Sequence, residues 1–246
     1  MSELVGKRAL VTGASRGIGA GIALALADKG ADVAITYERS ADRAAELVRS
    51  IEGKGQRGVA IQADSADAAA VKRSVEEAVT GLGGLDILVN NAGIARYGAV
   101  AEMSLTDIDA LLNVNVRGAV LAAQAAIPHL PRGGRIISIG SCLAERVPCA
   151  GSTLYSMTKS ALLAFTRGLA RDLGPADITV NLVQPGPIDT DMNPANGEHA
   201  EQIRNLTALG RYGTPADVAA AVAFLASPAA RQITGSVLTV DGGVNA

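Results

Sequence analysis

The chain has 246 residues, with 22 Lys and Arg against 24 Asp and Glu, for a formal net charge of −2. With no basic excess, counterion release has little to draw on, which sets nucleic acid aside as a partner. The 48% apolar and 19% charged content excludes a disordered chain, and the length suits one α/β domain over residues 1–246.

Seven short apolar runs are predicted strands: Arg8–Thr12, Asp32–Thr36, Gly58–Gln62, Ile87–Val89, Arg135–Ile139, Thr179–Val183 and Val237–Val240. Helical patterns begin between them near Gly17, Ala41, Asp67, Leu105, Thr153 and Pro215. The first strands are apolar on both faces, as parallel strands covered by helices on both sides require. This alternation predicts a Rossmann-type, doubly wound, seven-stranded parallel sheet. Residues 185–209 break the rhythm with Pro, Asn and charges and follow a strand end, so they are expected to form a lid over the site.

The N-terminal Met1-Ser2-Glu3-Leu4 shows no basic segment before an apolar one, so no signal peptide is expected. No uncharged apolar run approaches the roughly 20 residues of a bilayer span, and no membrane is expected as a partner. Cys142 and Cys149 are too few for a disulfide framework and lack metal-ligand spacing. A cytoplasmic setting and no metal follow as expectations.

After the first strand comes Thr12-Gly13-Ala14-Ser15-Arg16-Gly17-Ile18-Gly19, leading into a helix. Glycines at such a turn let the backbone approach a pyrophosphate and present the helix N-terminus to its charge. A purely structural turn is the alternative. The spacing is Gly-x3-Gly-x-Gly rather than the commoner Gly-x-Gly-x2-Gly.

At the end of the second strand, 24 residues after Gly13, stands Tyr37, where a site for NAD would place an acidic side chain on the ribose 2′-hydroxyl. Arg16 and Arg39 could instead converge on a 2′-phosphate, since guanidinium donates two parallel hydrogen bonds to that group. NADP(H) is therefore favoured over NAD(H). Glu38 works against this, and two solvated surface arginines are the alternative.

Tyr155 and Lys159 are spaced i, i+4 on a strong helical pattern, Thr153–Leu173, so phenol and ammonium can be neighbours. A phenol with a pKa near ~10 needs a cation to stabilise its phenolate at neutral pH. Taken alone, such a pair is common on helix surfaces. Ser141 ends a buried strand at the sheet's C-terminal edge, and Asn90-Asn91-Ala92-Gly93 ends another. Asn113 and Asn115 lie inside a helical pattern although Asn is a mediocre helix former, which asks for a reason.

Together these features resemble the classical short-chain dehydrogenase/reductase family along essentially the whole chain. The resemblance rests on Thr12–Gly19, Asp64, Asn90–Gly93, Asn115, Ser141, Tyr155, Lys159, Pro185-Gly186-Pro187-Ile188 with Thr190, and Asp241-Gly242-Gly243. The Gly-x3-Gly-x-Gly turn is that family's own form. The resemblance implies a catalytic tetrad of Asn115, Ser141, Tyr155 and Lys159. In it Tyr155 is the general acid, Ser141 holds the carbonyl oxygen, Lys159 lowers the Tyr155 pKa and binds ribose, and Asn115 holds a water. It also implies NADPH contacts at Gly13, Ser15, Arg16, Gly17, Ile18, Gly19, Tyr37, Arg39, Asp64, Ser65, Asn91, Ala92, Gly93, Pro185, Gly186, Ile188 and Thr190. His129 and His199 have no part in this chemistry.

Within the family the string looks most like 3-oxoacyl-[acyl-carrier-protein] reductases and related carbonyl reductases. The expected reaction is NADPH-dependent reduction of a ketone (a β-keto ester, a 3-oxoacyl thioester or a small carbonyl compound) to a secondary alcohol. Cys142 and Met192, with Ser141 and Tyr155, are expected to line the substrate pocket. Acyl carrier protein is a candidate partner through Arg132, although the second docking position, Ala176, carries no charge. The segment from Gln184 to Gly197 also resembles a bacterial branch that includes a cyclic-di-GMP-binding protein. A nucleotide sensor on the same fold, with little catalysis, is the alternative function. A homotetramer is expected by resemblance.

Overall fold

The computed structural model describes residues 3–246. The chain folds in the order β1 (Arg8–Val11), α1 (Gly17–Asp28), β2 (Asp32–Tyr37), α2 (Ala41–Glu52), β3 (Gly58–Gln62), α3 (Ala68–Leu82) and β4 (Ile87–Asn90). It continues through α4 (Leu105–Leu112), α5 (Ala119–Ala126), β5 (Arg135–Ile139), α6 (Thr153–Leu173), β6 (Thr179–Pro185), α7 (Ala200–Arg204), α8 (Pro215–Ala226) and β7 (Val237–Val240). The seven strands form one parallel sheet in the order β3-β2-β1-β4-β5-β6-β7. The chain winds outward from β1 to β3, returns, and winds the other way from β4. A crevice therefore opens between the C-terminal ends of β1 and β4, where open α/β sheets bind ligands.

Alternation along the strands builds two cores. Ala9, Val11, Val33, Ile35 and Val89 face α1, α2 and α8, while Leu10, Ala34, Leu88 and Ile136 face α3, α5 and α6. Burying both faces explains why β1 and β4 read as continuous apolar runs.

The predicted strands lie within a residue or two of the observed ones, and the predicted Thr153–Leu173 helix matches α6 end to end. The pattern starting at Leu105 is more elaborate than its sequence suggested. α4 passes into a π-helical turn, Asn113–Gly118, before continuing as α5. By length and composition alone the continuous helix Leu105–His129 is long and apolar enough to cross a membrane. Here it lies against the sheet's second core, with Ala122, Ala123 and Ala126 packed among α3 and α6 side chains.

Residues 185–209 are less irregular than expected. Ile188 pairs with Gly213, Thr190 pairs with Asn193, and α7 forms a short helix. Gly186 is required there, because a Cβ would lie 2.6 Å from the Asp241 Cα.

Candidate active site

The turn after β1 is shaped by what its glycines lack. Gly13 (φ 62°) and Gly17 (φ 58°) adopt left-handed backbone that favours glycine. A Cβ on Gly13 would lie 2.8 Å from Ala92 Cα, and one on Gly19 would lie 2.4 Å from Asn91 Nδ2. The turn is thereby pressed against the loop after β4. Thr12, which opens the glycine motif, and Thr36, for which the sequence suggests no role, hold the junction. Thr12 Oγ1 accepts from the Asn91 and Ala92 N–H groups (3.0 Å each), and Thr36 Oγ1 accepts from Gly13 N–H (2.9 Å). The Asn91 side chain donates to Thr12 O (2.8 Å).

Helix α1 begins at Gly17 with no side-chain cap and no acidic residue in its first turn. Its N–H groups are left for an external acceptor, and its dipole favours an anion there. Ser15, Gly17 and Ile18 are partly buried around this opening. The glycine cradle and uncapped helix suit a dinucleotide pyrophosphate. The space beside Gly93, where a Cβ would lie 3.2 Å from Lys159 Nζ, suits its ribose.

Ser141, Tyr155 and Lys159 meet at the sheet's C-terminal edge. Ser141 leaves β5 in extended backbone and is buried; its Oγ accepts from Leu143 N–H (3.2 Å), so its own hydrogen is free to donate. Tyr155 and Lys159 lie one turn apart on α6, with the ammonium 5.9 Å from the phenol ring centroid. Lys159 is buried and donates to Ile139 O (3.1 Å), which leaves two of its three donors unassigned. Burial pushes its pKa down to about 8. Burial also raises the Tyr155 phenol well above its ordinary value; the Tyr97 phenol adds to the rise and the Ser141 hydroxyl opposes it. Without further positive charge, Tyr155 is held as a neutral acid.

Asn115 sits in the π-helical turn, a feature often found where a helix serves a site. Its Oδ1 accepts from Ile94 N–H (2.9 Å), and its Nδ2 donates to Ile94 O (2.9 Å) and Thr158 Oγ1 (3.0 Å). Thr158 Oγ1 in turn donates to Tyr155 O (2.7 Å). Both amide hydrogens are therefore taken. The side chain clasps the loop after β4 to α6, and a water relay would need another group of this residue. Gly118 closes the turn against the chain after β3, where a Cβ would lie 2.7 Å from Ser65 O.

On the adenosine side, Tyr37 ends β2 partly buried, and Asp64 is exposed with its carboxylate accepting from Ala66 N–H (2.8 Å). The two arginines expected to converge do not. Arg39 is 86% exposed and donates to Glu38 (2.8 Å), the neighbour whose charge complicated the sequence reading. Arg16 instead meets Asp191 (3.2 Å), which also accepts from Arg43 (2.7 Å). Nothing local in sequence links Arg43 to Asp191, which are 148 residues apart.

Pro185 at the end of β6 and Ile188 beyond it are buried, with Gly186 and Thr190 partly so; the Thr190 methyl lies 3.4 Å from where a Gly17 Cβ would be. This brings the strap against the glycine turn. Cys142 is buried directly after Ser141, and burial raises its thiol pKa to about 11, which makes it a small apolar wall and a poor nucleophile. Met192 is exposed. Tyr97, also exposed, packs its ring 5.7 Å from that of Tyr155 at 55°. His129 pairs with Glu76 (3.1 Å), away from this site.

A short-chain dehydrogenase family model described as enoyl-(acyl carrier protein) reductase matches residues 13–245. The chain belongs to the short-chain dehydrogenase/reductase family. It is similar to a short-chain dehydrogenase from Burkholderia cenocepacia J2315, solved in complex with NADP. That match has 60% identity and a TM-score of 0.98, covering 99% of this chain and 100% of that one. The cyclic-di-GMP-binding biofilm dispersal mediator protein of Escherichia coli (strain K12) is 44% identical over 246 residues, the full length of both. A 3-oxoacyl-[acyl-carrier-protein] reductase of Staphylococcus aureus (strain Mu50) is 42% identical over 241 residues, covering 97% of this chain and 98% of that protein. The chain is thus an oxidoreductase of this family, and its second branch of resemblance, to the cyclic-di-GMP-binding protein, is a real sequence relationship.

Proposed function

We propose that the protein is an NADPH-dependent carbonyl reductase that converts a ketone to a secondary alcohol, with Tyr155 as the general acid. The observation that carries this reading is the meeting of Tyr155, Ser141 and Lys159 at the sheet edge, with the phenol held neutral. A protonated phenol is the form that reduction needs. NADPH, when held there, would supply the hydride to the carbonyl carbon. Ser141, whose Oγ already accepts from Leu143 N–H, donates its hydrogen to the substrate oxygen and stabilises the charge that builds there. Tyr155 delivers the proton to that oxygen. Lys159 holds the nicotinamide ribose with the donors not used on Ile139 and, as a cation, eases proton loss from the phenol.

The substrate class is a β-keto ester, 3-oxoacyl thioester or small ketone, received between Tyr97, Cys142 and Met192 under the lid formed by residues 185–209. Acyl carrier protein is the weaker partner. Arg132 is exposed and donates to Pro175 O (3.5 Å), but the neighbouring Ala176 offers no second cation. A homotetramer is supported by exposed apolar side chains on α4, α5 and α8 (Leu105, Val120, Phe224), by the open edge of β7, and by an open apolar groove along α1 and α8. A cytoplasmic location accords with two unpaired cysteines.

The test is oxidation of NADPH and NADH with a panel of β-keto esters, a β-keto thioester and cyclic ketones. Tyr155→Phe is expected to reduce turnover about 10²–10⁴-fold without loss of fold. Folded protein that binds nucleotide but turns over no ketone, and whose binding ignores Tyr155→Phe, would favour the second reading. That reading is a sensor of a cyclic-di-GMP-type nucleotide, and the E. coli relative is its support.

A further inference from the structure

Arg16 stands at the N-terminus of α1, and Arg43 in the first turn of α2. Their Nη1 atoms converge on a single oxygen, Oδ2 of Asp191, at 3.2 and 2.7 Å. Two guanidinium groups brought to one point repel each other unless an anion holds them, and here the protein supplies that anion from another segment. One carboxylate between two cations leaves the cluster with a net positive charge. All three side chains are about half exposed, so a ligand arriving from solvent can reach them.

The cluster's position identifies the ligand's chemistry. Helix α2 follows the end of β2, where this fold reads the adenosine ribose, and Arg16 belongs to the pyrophosphate turn. A phosphate monoester carries about −1.5 to −2 charge and three acceptor oxygens. It satisfies two forked guanidinium groups more completely than a single carboxylate does. The cation predicted for this task, Arg39, is held by Glu38 and directed to solvent.

We propose that Arg43, not Arg39, is the residue that joins Arg16 in reading the 2′-phosphate of the nucleotide, and that Asp191 is the built-in anion the phosphate replaces. The assignment rests on the NADPH reading above. It gives the strap a second task. Asp191 follows Thr190, which lies against Gly17, so freeing the carboxylate loosens the 190–193 turn only when the phosphorylated nucleotide has arrived.

The experiment is equilibrium binding of NADPH and of NADH to the full-length protein, followed by fluorescence of the reduced nicotinamide, with circular dichroism to verify folding. Arg43→Ala is expected to weaken NADPH about tenfold and leave NADH within about twofold. Arg39→Ala is expected to leave both within about twofold, and Asp191→Asn to tighten NADPH about threefold while leaving NADH unchanged. Added salt should shrink the Arg43 effect.

Equal changes for both nucleotides in Arg43→Ala, or no change, would overturn the assignment, as would a loss carried by Arg39. Weaker NADPH binding in Asp191→Asn would show a strap rather than a displaced anion, and would overturn that half of it. Wild-type protein binding NADH as tightly as NADPH overturns the NADPH reading and this assignment together. A wild-type preference that survives Arg43→Ala overturns the assignment alone.

Discussion

Asp86 and Lys159 are both buried charges, placed at opposite edges of the same sheet. Asp86 precedes β4 at the N-terminal edge, where it accepts from Arg8 Nε (2.7 Å), Arg8 N–H (3.1 Å) and Lys7 Nζ (3.3 Å). Burial alone would raise its pKa; the hydrogen bond and charge of Arg8, with Lys7, overcome that and hold the carboxyl below its ordinary range. Lys159 lies at the C-terminal edge and has one carbonyl partner, with no carboxylate in ion-pair reach among the described residues. Its pKa falls to about 8 because nothing opposes burial. A charge that serves the fold is surrounded by its counter-ions. A buried charge left short of them, as Lys159 is, marks a candidate for chemistry.

That contrast can be broken most forcefully at Lys159. Lys159→Met should lower turnover by on the order of 10²-fold or more, because the phenol loses the cation that eases its proton release. The same change should raise stability in the absence of nucleotide at pH 7 by about 1–3 kcal/mol, since a buried unpaired charge is removed. Chemical denaturation and steady-state kinetics on one preparation check both signs. Asp86→Asn should do the reverse. It should destabilise by about 2 kcal/mol by leaving Arg8 without its counter-ion, with turnover per folded molecule unchanged. Loss of activity without loss of stability would sink the structural role.

The smallest effects lie in pH. Asp86 has a depressed folded pKa, so its stabilisation is present above the unfolded value near 3.8 and is lost as pH falls below it. Lys159 also has a depressed folded pKa, but as a base. Between about 8 and 10.5 the unfolded chain binds the extra proton, so stability rises with pH across that window. The Tm difference between wild type and Lys159→Met should therefore narrow from pH 8 upward. A constant gap would mean that Lys159 is not the group titrating there.

Much of this was legible in the sequence because it is local. Strand and helix periods, the turn after β1, and the i, i+4 pairing of Tyr155 with Lys159 follow from neighbours along the chain, whereas the strand order was decided by the tertiary structure. The two asparagines inside the Leu105 helix go against helix propensity, and the fold accounts for Asn115. Its clasp on Ile94 and Thr158 occurs in a π-helical turn that no helix propensity encodes.

The arginine reading shows the limit most clearly. Charge and position along the chain suggest Arg39, yet that side chain pairs with its chain neighbour Glu38, while Arg43 reaches Asp191, 148 residues away. The sequence by itself determined the architecture, because that depends on periodicity, and its motifs pointed to the family and to Asn115, Ser141, Tyr155 and Lys159 as candidate site residues. Only the tertiary structure decided which charges are paired and which are left free, because an ion pair depends on distance in space and on exclusion of water, and neither is written along the chain.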